Sequence, residues 1–202
     1  TIGTMFIFRG FSEVILVGEG MYAQLTNFPA SFVILGTGKF LGIYYMFWLL
    51  LVLAILAHFF LNKTAGGRAL YYLGGTQEAA KMLGFNVKKI TMLTYVASGA
   101  LSALAGILAT ARYEMANRYL GLGMHMSIII SCIIGGGSLA GGKGSILGAV
   151  FGVIFITLVG NSFNLFEVQP QWQNVVIGAI LVIVVLSDGY LSLRKKRELG
   201  RI

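Results

Sequence analysis

Apolar residues in this chain come in long runs, and the polar positions are gathered between the runs rather than interleaved with them. Residues 44–61 carry no charge before Lys63. A run of about 18 apolar residues is enough for a helix to cross a hydrocarbon core of about 30 Å. Tyr44, Tyr45 and Trp48 crowd its start, as an aromatic belt at a membrane interface does. Comparable runs occupy residues 90–111, 144–166 and 173–191. Residues 124–134 are apolar but short for a crossing helix, and Gly135 follows them directly. Irregular backbone at membrane depth is tolerated only beside protein or a water-filled cavity, so this stretch is a candidate for lining a path. The pattern predicts an all-α, polytopic integral membrane helical bundle of about five full spans plus a partial one at the N-terminus, in a single transmembrane domain over residues 1–202.

The opening residues 1–17 are apolar apart from Arg9 and Glu13, which sit four apart and share a helix face. Such a segment either packs inside a bundle or ends near Gly10, and a charge pair lining a transport path is its functional alternative. Without an initiator Met and already apolar, the chain is expected to begin inside or just before a span and to lack N-terminal spans. Residues 18–42 read as a mixed loop whose apolar centre, residues 31–35, lies along the interface.

Within the runs, Ser98, Ser102 and Gly106 recur every four residues, with Gly99 and Ala103 beside them, and Gly144, Gly148 and Gly152 do the same. Small residues on one face let helix backbones approach closely in lipid, so both stripes are expected to be packing faces. Asn161 and Asn164 near the end of their run need partners, either a neighbouring helix or a polar solute.

Between the spans lies a polar island, residues 74–89. Gly74 and Gly75 are expected to break what precedes them, and Thr76 to cap a short helix over residues 76–83. Glu78 suits its first turn and Lys81 its last, Gly84 ends it in the left-handed conformation, and Asn86 keeps the chain turning. Two turns of helix do not hold in water unaided, so the spans on either side and a partner surface are expected to support it. The plain alternative is an ordinary solvated loop.

Composition narrows the class. The 202 residues are 57% hydrophobic and 11% charged, well below the roughly 25% charged residues of a soluble domain. The net charge of +8 does not point to nucleic acid, because the cations flank the runs. Residues 63–89 and the tail (Arg194, Lys195, Lys196, Arg197 and Arg201) hold ten of the fifteen Lys and Arg, and residues 167–173 hold none. By the positive-inside rule the 63–89 loop and the C-terminus are cytoplasmic, residues 112–123 are outside, and the protein is expected to be a multi-pass membrane protein. Residues 112–123 hold Arg112, Glu114 and Arg118, a nearly neutral set.

Chemistry-bearing constellations are sparse. The single Cys132 excludes an internal disulfide and is expected to be a packed thiol. Glu114 with His125 lacks a nucleophile or second carboxylate, which argues against an enzyme. Residues 135–145 nearly match a phosphate-binding loop, but Gly144 stands where Ser or Thr would hold Mg²⁺. The run is read instead as a tight cytoplasmic turn with close helix approach, and neither metal nor cofactor is expected.

Gly74-Gly75-Thr76-Gln77-Glu78-Ala79-Ala80 followed by Gly84-Phe85-Asn86-Val87, in order with Ile134-Gly135-Gly136-Gly137-Ser138-Leu139-Ala140-Gly141-Gly142-Lys143-Gly144, resembles the permease subunits of bacterial ribose- or monosaccharide-type ABC importers, in their C-terminal portion. Residues 35–43 and the opening ten also match. The resemblance implies a cytosolic ATP-binding subunit, an extracytoplasmic solute-binding protein and a second permease subunit as partners, with residues 63–89 as the loop that couples ATP hydrolysis to transport. It implies that Gly74, Gly75, Thr76, Gln77, Glu78, Ala79, Ala80 and Gly84 form the ATPase-coupling element. His125, Ser127, Asn161 and Asn164 are candidates for the substrate path. Members of the family carry a glutamate and an aspartate just before the Gly-rich run; here Gly123-Met124-His125-Met126-Ser127 has neither acid. Permeases for branched-chain amino acids or another small solute such as a quorum signal, and a secondary transporter, are the competing readings. Proton or sodium coupling leaves intramembrane carboxylates, and only Glu13 and Asp188 approach that.

Overall fold

A computed structural model describes residues 2–18, 24–117, 119–139 and 141–199. Arg118, Ala140 and Arg201 lie outside these, and of Ala79, Asp188 and residues 194–197 only the backbone is described. Helices dominate: α1 (Ile2–Gly18), α2 (Ala30–Thr37), α3 (Tyr45–Lys63), α4 (Ala65–Gly75), α5 (Gln77–Met82), α6 (Val87–Tyr113), α7 (Met124–Ile134), α8 (Ile146–Leu165) and α9 (Pro170–Leu199). Four two-residue strands pair antiparallel as β1 (Gln24–Leu25) with β4 (Ala116–Asn117) and β2 (Lys39–Phe40) with β3 (Ile43–Tyr44). Among the described residues α3, α6 and α8 are long and apolar enough to cross a membrane, with 19, 27 and 20 residues. At 1.5 Å per residue the shortest reaches about 28 Å, the thickness of a hydrocarbon core. In α3 and α6 the most apolar window has no buried residue, so these helices present lipid-compatible surface all round. α7 is the eleven-residue helix that its sequence predicts, and the apolar part of α9 is Gln171–Ser187.

Packing divides the chain into two units, Thr1–Val52 with Thr94–Leu122, and Leu53–Leu93 with Gly123–Ile202. In the first, α1 continues through Gly10 to Gly18 instead of ending near Gly10, and Arg9 Nε stands 3.8 Å from Glu13 Oε1. The segment expected to be a loop contains the eight-residue helix α2 and the β2–β3 hairpin. Gly36 of α2 is buried against the backbone of Ala111 and Arg112 at the end of α6, so close that a Cβ there would overlap both.

In the second unit α7 and α8 run antiparallel, Ser131 beside Gly152 and Gly135 beside Gly148, with carbonyl oxygens of α7 where a Cβ on α8 would have to sit. In lipid there is no hydrophobic drive between helices, so this close backbone contact is what holds the pair. Ile130, Ser131, Ile133 and Ile156 are buried around it. Gly144 lies before α8 rather than on its glycine face, and Ser145 caps the helix by accepting from the Gly148 N–H at 3.0 Å. Cys132, expected to be packed, is exposed on α7. Ser98, Ser102 and Gly106 are exposed along α6, and a Cβ on Gly99 or Gly106 would meet nothing within 4 Å.

Candidate functional site

Residues 63–89 are almost wholly helical. At the elbow between α3 and α4, the Thr64 hydroxyl accepts from the Gly67 N–H at 3.1 Å and donates to the Phe60 carbonyl at 2.7 Å. This is an N-cap, and it satisfies one of the amides that a helix start leaves free. Gly67 is buried against Phe60 and Leu61 backbone, which sets the angle at which α4 departs.

Gly74 and Gly75 do not break this helix, contrary to expectation. Both are its last two residues, and the break falls at Thr76, extended at φ −151° and ψ 134°. The Thr76 N–H donates to Tyr72 O at 3.1 Å, and its carbonyl accepts from Ala80 N–H at 3.3 Å, so one residue closes α4 and opens α5. α5 covers Gln77–Met82, with Glu78 in the first turn and Lys81 in the last. Its end has a definite cause. Gly84 sits at φ +79°, the Phe85 N–H reaches back to Ala80 O at 3.1 Å, and the Gly84 N–H bonds Lys81 O at 2.9 Å. That is the paired 6→1 and 5→2 bonding of a Schellman motif, which favours glycine at the left-handed position. Asn86 does more than turn the chain. Its side chain accepts from Lys89 N–H at 3.1 Å and caps α6, which brings Lys88 and Lys89 into a helix rather than a loop.

Tertiary contacts fix α5 from one side. Ala80 is fully buried, and the Phe85 ring stacks on Tyr72 of α4 with centroids 6.4 Å apart and planes 19° apart. Thr76, Gln77, Glu78 and Lys81 face outward, and Met82 and Leu83 are 88% and 55% exposed. A helix too short to persist alone is thus pinned by one buried methyl and one ring stack, and the rest of its surface is offered.

The Gly-rich run completes the site. α7 ends by the same device as α5: Gly136 at φ +87°, the Gly137 N–H on Cys132 O and the Gly136 N–H on Ile133 O, both 2.9 Å. The run folds back so that Gly141 and Gly142 lie directly on Gly74. A Cβ on Gly74 would sit 2.6 Å from the Gly142 nitrogen, and one on Gly141 would overlap the Gly74 carbonyl. The Tyr71 hydroxyl adds a 2.9 Å hydrogen bond to Gly144 O. The two glycine-bearing motifs, far apart in sequence, therefore meet backbone to backbone with no side chain between them. The Gly135, Gly136, Gly137, Ser138 and Gly141 amides all donate within the chain, so they do not form an open phosphate cradle. Sequence reasoning found both motifs but missed their contact and the Tyr71 bond; a glycine pair marks a close approach without naming its partner.

A cavity of about 470 Å³ opens beside the contact, lined by Leu61, Leu70, Tyr71, Ile129, Cys132 and Ile133 among others. None of His125, Ser127, Asn161 and Asn164 lines it. His125 and Ser127 are at the start of α7, exposed and half-buried, and Asn161 and Asn164 are exposed at the end of α8. Because the two helices are antiparallel, all four lie at the end of the hairpin remote from the Gly-rich run.

Comparison with known proteins matches residues 1–185 to the family described as branched-chain amino acid transport system / permease component. The chain is 33% identical to the ribose import permease protein RbsC of Haemophilus influenzae, over 96% of this chain and 60% of that protein. It is 33% identical to the autoinducer 2 import system permease protein LsrC of Salmonella choleraesuis, over 100% of this chain and 57% of that protein. It is 37% identical to the probable ABC transporter permease protein YphD of Escherichia coli, over 79% and 48%. The chain thus spans about half to three-fifths of the length of these relatives. No solved structure matches it.

Proposed function

The chain belongs to the family described as branched-chain amino acid transport system / permease component, and from that membership we propose that it is the membrane-spanning subunit of an ATP-driven importer that moves a monosaccharide, ribose-like in kind, across a bacterial inner membrane. A cytosolic ATP-binding subunit grips α5, an extracytoplasmic solute-binding protein delivers the sugar, and a second permease subunit completes the path. Residues 63–89 are the coupling segment, and they and the C-terminus face the cytosol, since ten of the fifteen Lys and Arg lie there. Ser98, Ser102 and Gly106 offer a close-packing face to a helix outside this chain.

The observation that carries the reading is the backbone contact of Gly74 with Gly141 and Gly142. A push on the exposed face of α5 passes through α4 into the Gly-rich run, and from there into α7 and α8, which the run joins. His125, Ser127, Asn161 and Asn164 lie at the far end of that hairpin, where a rearrangement reaches a neutral polyol. Such a solute needs hydrogen-bonding side chains and exposed backbone, not the ring of carboxylates of a cation filter. The permease makes no covalent change in the solute and holds no ATP.

The relatives also support a second choice of cargo, since one is an autoinducer 2 permease and the family description names branched-chain amino acids. The test is uptake into proteoliposomes containing the assembled transporter with internal ATP. Labelled ribose is expected to enter only when both the ATP-binding subunit and the solute-binding protein are present. Uptake on a proton gradient alone sinks the ATP-driven reading, and accumulation of leucine or autoinducer 2 in place of ribose moves the cargo.

A further inference from the structure

The β2–β3 hairpin and the end of α6 hold two cations on one aromatic ring. In the hairpin register Lys39 stands opposite Tyr44, and its Nζ lies 4.9 Å from the ring centroid. Arg112 Cζ lies 4.3 Å from the same centroid. Gly36, packed on the Ala111–Arg112 backbone, fixes where α6 ends, and the Tyr45 N–H on Gly38 O at 3.0 Å ties the hairpin to α2. Among the described residues the one ion pair is Arg9–Glu13, so no described carboxylate neutralises Lys39 or Arg112. Two like charges gathered on one ring repel each other, and an anion between them relieves that repulsion.

The surroundings say what kind of anion. The hairpin turn is Leu41-Gly42, at φ +52° and +80°, the two-residue geometry that favours Asn-Gly. Leucine in that left-handed position is strained, yet its side chain is 79% exposed, with Phe40 beside it 56% exposed. Trp48 of α3 closes the group: its indole N–H donates to Phe40 O at 3.2 Å, and the two rings meet edge to face at 6.1 Å. An apolar tip beside the start of a membrane-spanning helix, a cluster of aromatic rings and two cations with no described carboxylate partner together offer what a phospholipid presents: acyl chain, interface and phosphate.

We propose that Lys39 and Arg112, held on Tyr44, seat the phosphate of an anionic phospholipid, with Phe40 and Leu41 against its acyl chain. The Tyr44 phenol is held below the usual tyrosine range, first by the Arg112 hydrogen bond and then by the positive charges of Lys39 and Arg112, in agreement with the local positive potential.

The test places the permease chain by itself, with Trp172→Phe so that Trp48 is the sole tryptophan of residues 1–202, in phosphatidylcholine vesicles carrying equal fractions of brominated phosphatidylglycerol or brominated phosphatidylcholine. The anionic lipid is expected to quench Trp48 more effectively, by about fivefold in apparent affinity for each cation. Lys39→Gln and Arg112→Gln are each expected to remove about one such factor, and Lys39→Arg to keep it. Arg9→Gln removes a cation that is not on the ring and is expected to leave the ratio unchanged; an equal loss there overturns the assignment to Lys39 and Arg112. Equal quenching by both lipids in the parent protein overturns the proposal. So does displacement of the anionic lipid by millimolar inorganic phosphate, or by an acidic protein surface that binds the pair in preference to lipid.

Discussion

Gly74 and Gly75 are neighbours at the end of α4, yet the structure assigns them opposite roles, and substituting each by alanine separates those roles. Neither carries a positive φ, so alanine is not strained in either place. In both, the change from glycine favours the helical backbone, by at most about 1 kcal/mol. At Gly75 a new Cβ meets nothing within 4 Å, so that gain stands alone. At Gly74 it would sit 2.6 Å from the Gly142 nitrogen and 3.2 Å from its Cα, and these are backbone atoms without a rotamer to turn aside. Overpacking of this kind costs about 1–3 kcal/mol. The net for Gly74→Ala is then a loss of up to about 2 kcal/mol at the contact, which raises the separated population by as much as roughly thirtyfold. α4 itself is untouched, so the amount of protein in the membrane should not change. The assay is solute imported per ATP hydrolysed in proteoliposomes of the assembled transporter, alongside quantitation of permease in the membrane. Gly74→Ala is expected to lower the ratio several-fold at unchanged membrane content, and Gly75→Ala to match the parent. If the two variants behave alike, the contact with Gly142 does not carry the coupling.

Glu78→Lys changes an exposed residue of α5 and should shift stability by no more than about 0.5 kcal/mol, while abolishing stimulation of the ATP-binding subunit; unchanged stimulation removes α5 from the interface. Ala80→Pro deletes the N–H that bonds Thr76 O at 3.3 Å and costs about 3 kcal/mol, more than a six-residue helix supplies, so trypsin cleavage at Lys81 should accelerate while the spans stay protected. Gly152→Val drives side-chain atoms into the Ser131 carbonyl and should separate α7 from α8, seen as a drop in membrane accumulation and in thermal midpoint; normal levels of both contradict the packing. The Tyr44 phenol, held below the ordinary tyrosine range chiefly by Arg112, should ionise at higher pH in Arg112→Gln, so at moderately alkaline pH the phenolate fraction falls; an ultraviolet difference titration with no displaced midpoint excludes the guanidinium as the cause.

Features that depend on near neighbours in sequence were legible. Long charge-free runs identified α3, α6 and α8, the eleven-residue length of α7 followed from its flanks, and Gly84 marked the end of α5 because few other residues accept that backbone. What failed depended on distant partners. A double glycine reads as a helix breaker, but Gly74 and Gly75 remain helical, Gly74 packed where Gly142 leaves no room for a Cβ. The Tyr44 cluster was invisible for the same reason: Lys39 and Arg112 are 73 positions apart, and only the hairpin register and the docking of Gly36 bring them to one ring. Lys88 and Lys89 are a local exception: Asn86 suits a turn and an N-cap alike, and here it caps α6, which starts three residues before the apolar run. Of the candidate site, the members of α5 could be read off the chain, while the packing of Gly74 on Gly141 and Gly142 could not.

A joint made of main chain alone has a mechanical consequence. Side chains between two moving parts act as springs, taking up displacement in rotamer changes; between Gly74 and Gly142 there is none to compress, so on the proposed coupling route a stroke entering through α4 would reach the Gly-rich run with little loss. The same stiffness leaves no side chain there by which the stroke could be retuned. On that reading, adjustment of speed or of partner choice would fall to the outward residues of α5, where Glu78, Lys81 and Met82 can change without disturbing the backbone contact behind them.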